Sequence, residues 1–217
     1  MPRSANQELF APEAGVTPLQ DGAAILHGFV TAEAADLVEA VGTVAAAAPF
    51  RHLTTPGGYR MSVSMTNCGP LGWVSDRSGY RYDAADPATG LSWPPMPAIF
   101  QSLALRAAAL VGFPDYHPDA CLINCYEPGA KLSLHVDQDE QDYTAPIVSV
   151  SLGLPAVFLW GGLSRKDKTR RFRLENGDVV VWGGPARRIY HGVAPLPDGE
   201  HPLTGRRRLN LTFRKAR

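Results

Sequence analysis

Short β-rich segments separated by turn signals fill the carboxyl-terminal half of this chain, and their spacing constrains the fold more than any other feature. In chain order they are Leu122–Tyr126, Leu132–Val136, Ile147–Leu152, Ala156–Trp160, Arg171–Leu174, Val179–Trp182, Ile189–Val193 and Leu209–Arg214. Asn176-Gly177 falls between two of them and is a strong hairpin signal. The spacing predicts a double-sheet jelly roll or another barrel-like sandwich.

Helices are predicted only before this β-rich half. Apolar spacing indicates helices over Ala32–Ala48 and Ala98–Val111, with Gly112 as a carboxyl-terminal cap of the second. We expect both to pack on one face of a sheet. Between them, residues 54–97 are rich in glycine, proline and aromatic residues, a composition that favours short hairpins and surface loops over core.

Composition describes an ordinary globular protein. With 217 residues and a hydrophobic fraction of 45%, the chain is expected to form a single domain over 1–217. The sequence lacks a run near the roughly 18 apolar residues of a membrane span, and MPRSANQELF at the start lacks a signal-peptide core. Three cysteines without CxxC spacing argue against a disulfide framework or structural zinc. We therefore expect a cytoplasmic protein without membrane contact, and a monomer.

A net charge of zero hides an uneven distribution. Residues 1–159 carry 7 Lys and Arg against 16 Asp and Glu, whereas residues 160–217 carry 14 against 5. A basic carboxyl-terminal quarter could hold phosphates or other anions. A solvated surface balanced elsewhere in the fold explains the same numbers equally well.

The segment LSLHVD offers two metal ligands. Strand alternation places His135 and Asp137 on the same face, and His191 in RRIYHGV is the candidate third ligand. Two histidines and one carboxylate on one side of Fe(II) leave open positions for a bidentate co-substrate and O2. The motif alone is weak, because His117-Pro118-Asp119 has the same spacing in a proline-rich turn.

The last strand carries anion-binding chemistry. One of its faces holds the side chains of Arg208, Asn210, Thr212 and Arg214. Guanidinium groups bind carboxylates through paired, charge-assisted hydrogen bonds, so this face suits a small dicarboxylate, with Asn124 and Tyr126 able to add hydrogen bonds. An edge strand with solvated arginines is the alternative. Beside a metal triad, the face points to an α-keto dicarboxylate that chelates iron.

Longer motifs make the chain resemble the AlkB family of Fe(II)/2-oxoglutarate dioxygenases. The matching segments are TPGGYRMSVSMTNCG (55–69), LGW (71–73), GYRY (79–82), PDACLIN (118–124), PGAKLSLHVDQDE (128–140), APIVSVSLGLPAVF (145–158), GDVVVWGG (177–184), YHG (190–192) and NLTFR (210–214). The resemblance implies a mostly β fold with flanking helices. Its core would be a double-stranded β-helix over about 118–217, with a nucleotide-recognition lid over about 45–97.

The resemblance also implies roles for single residues. His135, Asp137 and His191 match the iron ligands. Five residues match contacts to 2-oxoglutarate, Arg208 at its distal carboxylate and Arg214 near the metal; they are Asn124, Tyr126, Arg208, Asn210 and Arg214. Five others match substrate contacts, namely Trp73, Tyr80, Tyr82, Asp139 and Arg165. Cys125 and Val136 depart from the family pattern.

The implied activity is oxidative demethylation of N-alkylated bases such as 1-methyladenine and 3-methylcytosine. It would consume 2-oxoglutarate and O2 and release formaldehyde, succinate and CO2. The expected substrate is alkylated single-stranded DNA, with double-stranded DNA and RNA left open. Trp73 would stack on the base opposite His135, and Tyr80, Tyr82 and Arg165 would contact phosphates. Two alternatives remain: an iron hydroxylase of a protein or small molecule, and a non-catalytic nucleic-acid-binding β-sandwich.

Overall fold

The computed structural model describes residues 15–217, so the segment that argues against a secretory signal lies outside the described residues. Its strands are β1 (Val16–Gln20), β2 (Ala23–Leu26), β3 (Arg51–Thr54), β4 (Arg60–Cys68), β5 (Gly72–Asp76), β6 (Gly79–Asp83), β7 (Ala120–Tyr126), β8 (Leu132–His135), β9 (Ile147–Gly153), β10 (Ala156–Trp160), β11 (Arg170–Leu174), β12 (Val179–Trp182), β13 (His191–Val193) and β14 (Arg208–Arg214). Its α-helices are α1 (Ala34–Ala47) and α2 (Ala98–Leu110). Neither helix is long and apolar enough to cross a membrane.

Two sheets form the body of the fold. The larger sheet has the order β1-β2-β12-β9-β14-β7-β4-β3, and the smaller has the order β11-β10-β13-β8. A separate hairpin joins β5 to β6. The mostly β, jelly-roll prediction is confirmed, and both predicted helices form within two residues of their expected ends.

Each strand of the large sheet divides its side chains between two environments. On β14, Leu209, Leu211 and Phe213 belong to a buried cluster that includes Leu37 of α1 and Phe100 of α2. Both helices therefore cover one face of the large sheet, as expected. The alternate residues of β14 lie on the opposite face, toward the small sheet.

Aromatic and aliphatic side chains fill part of the space between the sheets. Ile25, Ile147 and Trp182 of the large sheet share a cluster with Phe158 and Trp160 of β10. A second cluster joins Val63 and Leu122 of the large sheet to Ala156 and Val193 of the small sheet. Between the clusters the inner face carries polar side chains, which is unusual for a sandwich interior.

The prediction of short hairpins and surface loops over residues 54–97 agrees with the hairpins β3–β4 and β5–β6, but it is wrong in keeping β4 out of the core. This strand pairs with both β3 and β7 inside the large sheet, and its Val63 and Met65 are buried. Flanking glycines and prolines hid its alternation of small polar and apolar residues. The strands β1 and β2 were also not predicted, although the apolar run of β2 is entirely buried against β12.

Asn176-Gly177 does not form the predicted hairpin. The strands on either side belong to different sheets, since β11 pairs with β10 whereas β12 pairs with β9 and β2. Gly177 does adopt the expected left-handed conformation, with φ of 92°. Its N–H donates to Ser151 and its carbonyl accepts from Val30, so the turn is used to cross between sheets.

The end of β9 provides a test of the packing around β14. Gly153 has φ of 87°, and a Cβ there would lie 2.6 Å from the carbonyl oxygen of Arg207 and would overlap Thr204. Gly129 has nearly the same φ of 85° and open space around it. We expect Gly129→Ala to lower the free energy of unfolding by about 1–2 kcal/mol, the cost of a left-handed alanine. Gly153→Ala should cost clearly more in denaturant unfolding, and equal losses would contradict the packing described.

Candidate functional site

Pairing of β8 with β13 builds a metal site. His135 and His191 are register partners across these strands, whereas Asp137 lies two residues beyond the end of β8 and not on the strand. Their potential ligand atoms all lie within 4.8 Å of one another. Each imidazole Nε2 is 3.7 Å from a different oxygen of Asp137. The structure thus brings the three predicted iron ligands together.

Both imidazoles present a free lone pair to the site. Nδ1 of His135 lies 2.9 Å from the Ser133 carbonyl, and Nδ1 of His191 lies 3.0 Å from the Ile189 carbonyl. Because a carbonyl only accepts, each Nδ1 carries the proton and Nε2 remains available to a metal. Burial also lowers the pKa of His191 to about 4, so its ring is neutral at physiological pH.

Asp137 is held ionised. Burial by itself would raise the pKa of this carboxyl, but the adjacent Arg214 guanidinium more than compensates, so the pKa lies well below its usual range. Nη2 of Arg214 donates to both carboxylate oxygens at 3.1 Å. Two neutral imidazoles and one carboxylate form the open-sided donor set that suits Fe(II).

Arg208 is a buried cation without an anionic partner in the described part of the chain. Its side chain is 1% exposed, Nη2 donates to Ser151 Oγ at 2.9 Å, and the guanidinium lies 4.9 Å from the centre of the Tyr126 ring. Its Nε and Nη1 find no hydrogen-bond partner within residues 15–217. Burial lowers the pKa of this guanidinium, although Tyr126 opposes that effect. A buried unpaired charge is costly, so the site fits a ligand carboxylate such as that of 2-oxoglutarate.

The other residues of the predicted co-substrate face lie beside Arg208. Asn124 is buried, and its Oδ1 has no partner among the described residues. Asn210 donates its amide hydrogens to Ser149 Oγ at 2.9 Å and to the Val150 carbonyl at 2.8 Å. Thr212 donates to Asn210 at 3.1 Å, which fixes the orientation of that amide.

Trp73 links the β5–β6 hairpin to the metal-binding segment. Its indole N–H donates to Asp139 at 2.7 Å, two residues after the ligand Asp137. The ring also stacks on Tyr80, with centroids 5.6 Å apart and 14° between planes. Tyr80 itself is 47% exposed. These three predicted substrate residues therefore form one connected group.

Tyr82 and Arg165 have different surroundings. Tyr82 is buried and its hydroxyl donates to Glu140 at 2.6 Å, which differs from the phosphate contact expected of it. Arg165 is exposed on the segment between β10 and β11, with its guanidinium 5.7 Å from the centre of the Tyr190 ring, next to His191.

Sequence reasoning missed the buried ion pair of Glu140 and Arg187. Nη2 of Arg187 donates to Glu140 Oε2 at 2.8 Å, and both side chains are at most 3% exposed. Glu140 lies in an acidic run, which is typical of a solvated surface. No spacing or motif in the sequence distinguishes either residue from its charged neighbours.

Removing one ligand should empty the metal site without harming the fold. We expect His135→Ala to weaken Fe(II) binding by more than about 100-fold, because two protein ligands remain. His117→Ala is the matched control, since His117 is exposed in the other HxD motif. Anaerobic calorimetric titration of the apoprotein measures both affinities. Equal affinities in the two variants would rule out His135 as a ligand.

Comparison with known proteins agrees with this geometry. Residues 22–214 match the model of the 2OG-Fe(II) oxygenase superfamily. The alpha-ketoglutarate-dependent dioxygenase AlkB of Escherichia coli is 57% identical over 210 residues, covering 96% of this chain and 97% of that protein. The human nucleic acid dioxygenase ALKBH1 is 32% identical over 60% of this chain and 34% of its own. The solved structure of OsALKBH1 superposes with a TM-score of 0.79 at 29% identity, covering 93% of this chain and 100% of that one. The chain belongs to the AlkB family of Fe(II)- and 2-oxoglutarate-dependent dioxygenases.

Proposed function

We propose that this dioxygenase oxidatively demethylates N-alkylated bases, such as 1-methyladenine and 3-methylcytosine, in nucleic acid. Single-stranded DNA is the proposed preferred substrate, and the protein acts as a monomer in the cytoplasm. Relatives whose names denote nucleic-acid substrates, including the human protein, support the substrate class. Three buried free thiols suit a reducing compartment.

The observation that carries the proposal is Arg208, a buried guanidinium without an anionic partner in residues 15–217, in a chain that also brings three metal ligands together. A dicarboxylate could chelate the metal at one end and pair with Arg208 at the other. Asn124, Tyr126, Asn210 and Thr212 would line its path along the inner face. Arg214, which donates to both carboxylate oxygens of Asp137, would hold that ligand at the metal end of the path.

Iron and 2-oxoglutarate, when bound, would supply the oxidative chemistry that removes an N-methyl group as formaldehyde, with O2 consumed and succinate and CO2 released. The protein's own residues position the reactants and exclude water. His135, Asp137 and His191 would hold the metal by one carboxylate and two neutral rings. The aromatic cluster of Phe158 and Trp182 packs against His191 and keeps water from that side of the ring.

Residues 45–97 are proposed to act as the substrate-recognition lid. The Trp73 ring would stack on a base that has left its helix, and such stacking contributes about 1–3 kcal/mol per base. Asp139, which accepts the Trp73 N–H, carries a charge that favours a cationic methylated base. Tyr82 would act indirectly, by holding the hairpin against Glu140.

Exposed groups on the lid and on the small sheet would hold the phosphates of the nucleic acid. Tyr80 lies on the lid and Arg165 beside Tyr190, while the edge strand β11 presents the exposed Arg170, Arg171 and Arg173. Contacts of this kind release counterions, so affinity for the oligonucleotide should fall as salt rises.

Mass spectrometry of a repaired oligonucleotide tests the reaction. A single-stranded oligonucleotide with one 1-methyladenine, incubated with protein, Fe(II), 2-oxoglutarate and ascorbate, should lose one methylene. The loss should require 2-oxoglutarate, persist in His117→Ala and disappear in His135→Ala. Unchanged mass with continued succinate formation would favour a protein or small-molecule substrate. Unchanged mass without succinate, in folded and iron-loaded protein, would leave only a nucleic-acid-binding module.

A second test addresses the co-substrate. Arg208→Lys keeps a positive charge but loses the planar pair of donors, so we expect KM for 2-oxoglutarate to rise by roughly 10- to 100-fold. Arg206→Lys is the control, because Arg206 is 66% exposed and pairs with Asp198 at the surface. Succinate formation at varied 2-oxoglutarate gives both constants. An unchanged KM in Arg208→Lys would remove Arg208 from the co-substrate site.

A further inference from the structure

The iron ligand Asp137 lies on a segment with little regular structure to hold it. Residues 136–146, between β8 and β9, form neither helix nor strand. Among the described residues, one hydrogen bond ties its backbone N–H groups to a distant part of the chain, from Gln141 to the Ala216 carbonyl. A metal ligand on such a segment depends on side-chain contacts for its position.

Arg187, which lies outside residues 136–146, makes two such contacts to the segment. Its Nη1 donates to the backbone carbonyl of Asp137 at 3.0 Å, and its Nη2 donates to the carboxylate of Glu140 at 2.8 Å. The guanidinium also lies 5.5 Å from the centre of the Tyr143 ring, at the far end of the same segment. One buried side chain thus contacts the segment at its beginning, middle and end.

Hydrogen bonds also connect Arg187 to the chain segment that carries His191. Arg187 closes the short 3-10 turn Gly184–Ala186, with its N–H 3.1 Å from the Gly184 carbonyl. Ile189 donates to Ala186 at 3.1 Å, and the Ile189 carbonyl accepts the ring N–H of His191 at 3.0 Å. The two chain segments that carry Asp137 and His191 are therefore joined through Arg187.

Glu140 extends this connection to the lid. Its Oε1 accepts the hydroxyl of Tyr82 from β6, while Oε2 accepts from Arg187. All three side chains are buried. The acidic partner thereby places the hairpin that carries Trp73 at a set distance from the metal ligands.

We infer that Arg187 is a positioning residue of the metal centre, which fixes the backbone of Asp137 and, through Glu140, the lid hairpin. A planar guanidinium is needed because two acceptors in different directions must be reached at once. A lysine ammonium keeps the charge but lacks the fixed fork. The inference rests on the metal site and not on the proposed nucleic-acid substrate.

Cobalt binding tests the inference without turnover or nucleic acid. We expect Arg187→Met to weaken Co(II) binding by about 10- to 100-fold and to alter the visible absorption spectrum of the bound ion. Arg188→Met is the matched control, since the neighbouring Arg188 is exposed. It should bind Co(II) as the unmodified protein does. Unmodified affinity and spectrum in Arg187→Met would overturn the inference.

A double variant separates positioning from general stability. Arg187→Met alone leaves the Glu140 charge buried with one cation fewer, whereas Arg187→Met with Glu140→Gln removes both charges of the pair. We expect the double variant to regain much of the lost resistance to denaturant but not the Co(II) affinity, because the bond to the Asp137 carbonyl is still absent. Recovery of both together would show a purely structural role and overturn the inference.

Arg187→Lys covers the case in which the methionine variants do not fold. It retains the buried charge, and we expect it to fold and to bind Co(II) more weakly than Arg188→Lys. Equal Co(II) affinity in these two lysine variants would overturn the inference. Absence of oligonucleotide demethylation by the unmodified protein, with normal Co(II) binding, would instead count against the proposed substrate alone.

Discussion

The register between β8 and β13 is the constraint on which the site depends. It sets His135 opposite His191, and a slip of one residue would turn one imidazole away from the other. Each ring N–H donates to a carbonyl two residues earlier in its own chain, so local backbone geometry also selects the nitrogen that faces the metal. Strand pairing therefore positions the two histidine ligands, and Asp137 adds the carboxylate of the metal site.

The buried arginines of residues 15–217 differ in whether they have an anionic partner. Arg214 pairs with Asp137 and Glu140, and Arg187 pairs with Glu140. Arg208 has only a hydroxyl and an aromatic ring for partners in the described part of the chain. The paired arginines stabilise the architecture of the site, whereas the unpaired one creates a strong demand for an anion. Binding of a dicarboxylate would meet that demand.

Sequence patterns predicted the β-rich half well because each strand of the sandwich has one face against hydrophobic core. Leu209, Leu211 and Phe213 alternate with polar residues because these three side chains face that core. The strand β4 escaped prediction because glycine and proline at its ends outweighed its own alternation. The hairpin predicted at Asn176-Gly177 is absent for a different reason. The local turn forms as expected, but hydrogen bonds to Ser151 and Val30 decide which sheet the next strand joins.

The sequence by itself determined the ligand types and the family to which the chain belongs, since these depend on local spacing and on long contiguous motifs. Only the tertiary structure decided that Tyr82 points into the protein toward Glu140, and that Arg187 lies beneath Asp137. Contacts between residues some 50 positions apart leave no periodic signal. A charged residue is written in the same way in the sequence whether its side chain is buried or solvated. Only the packing around the side chain determines whether it becomes a structural partner.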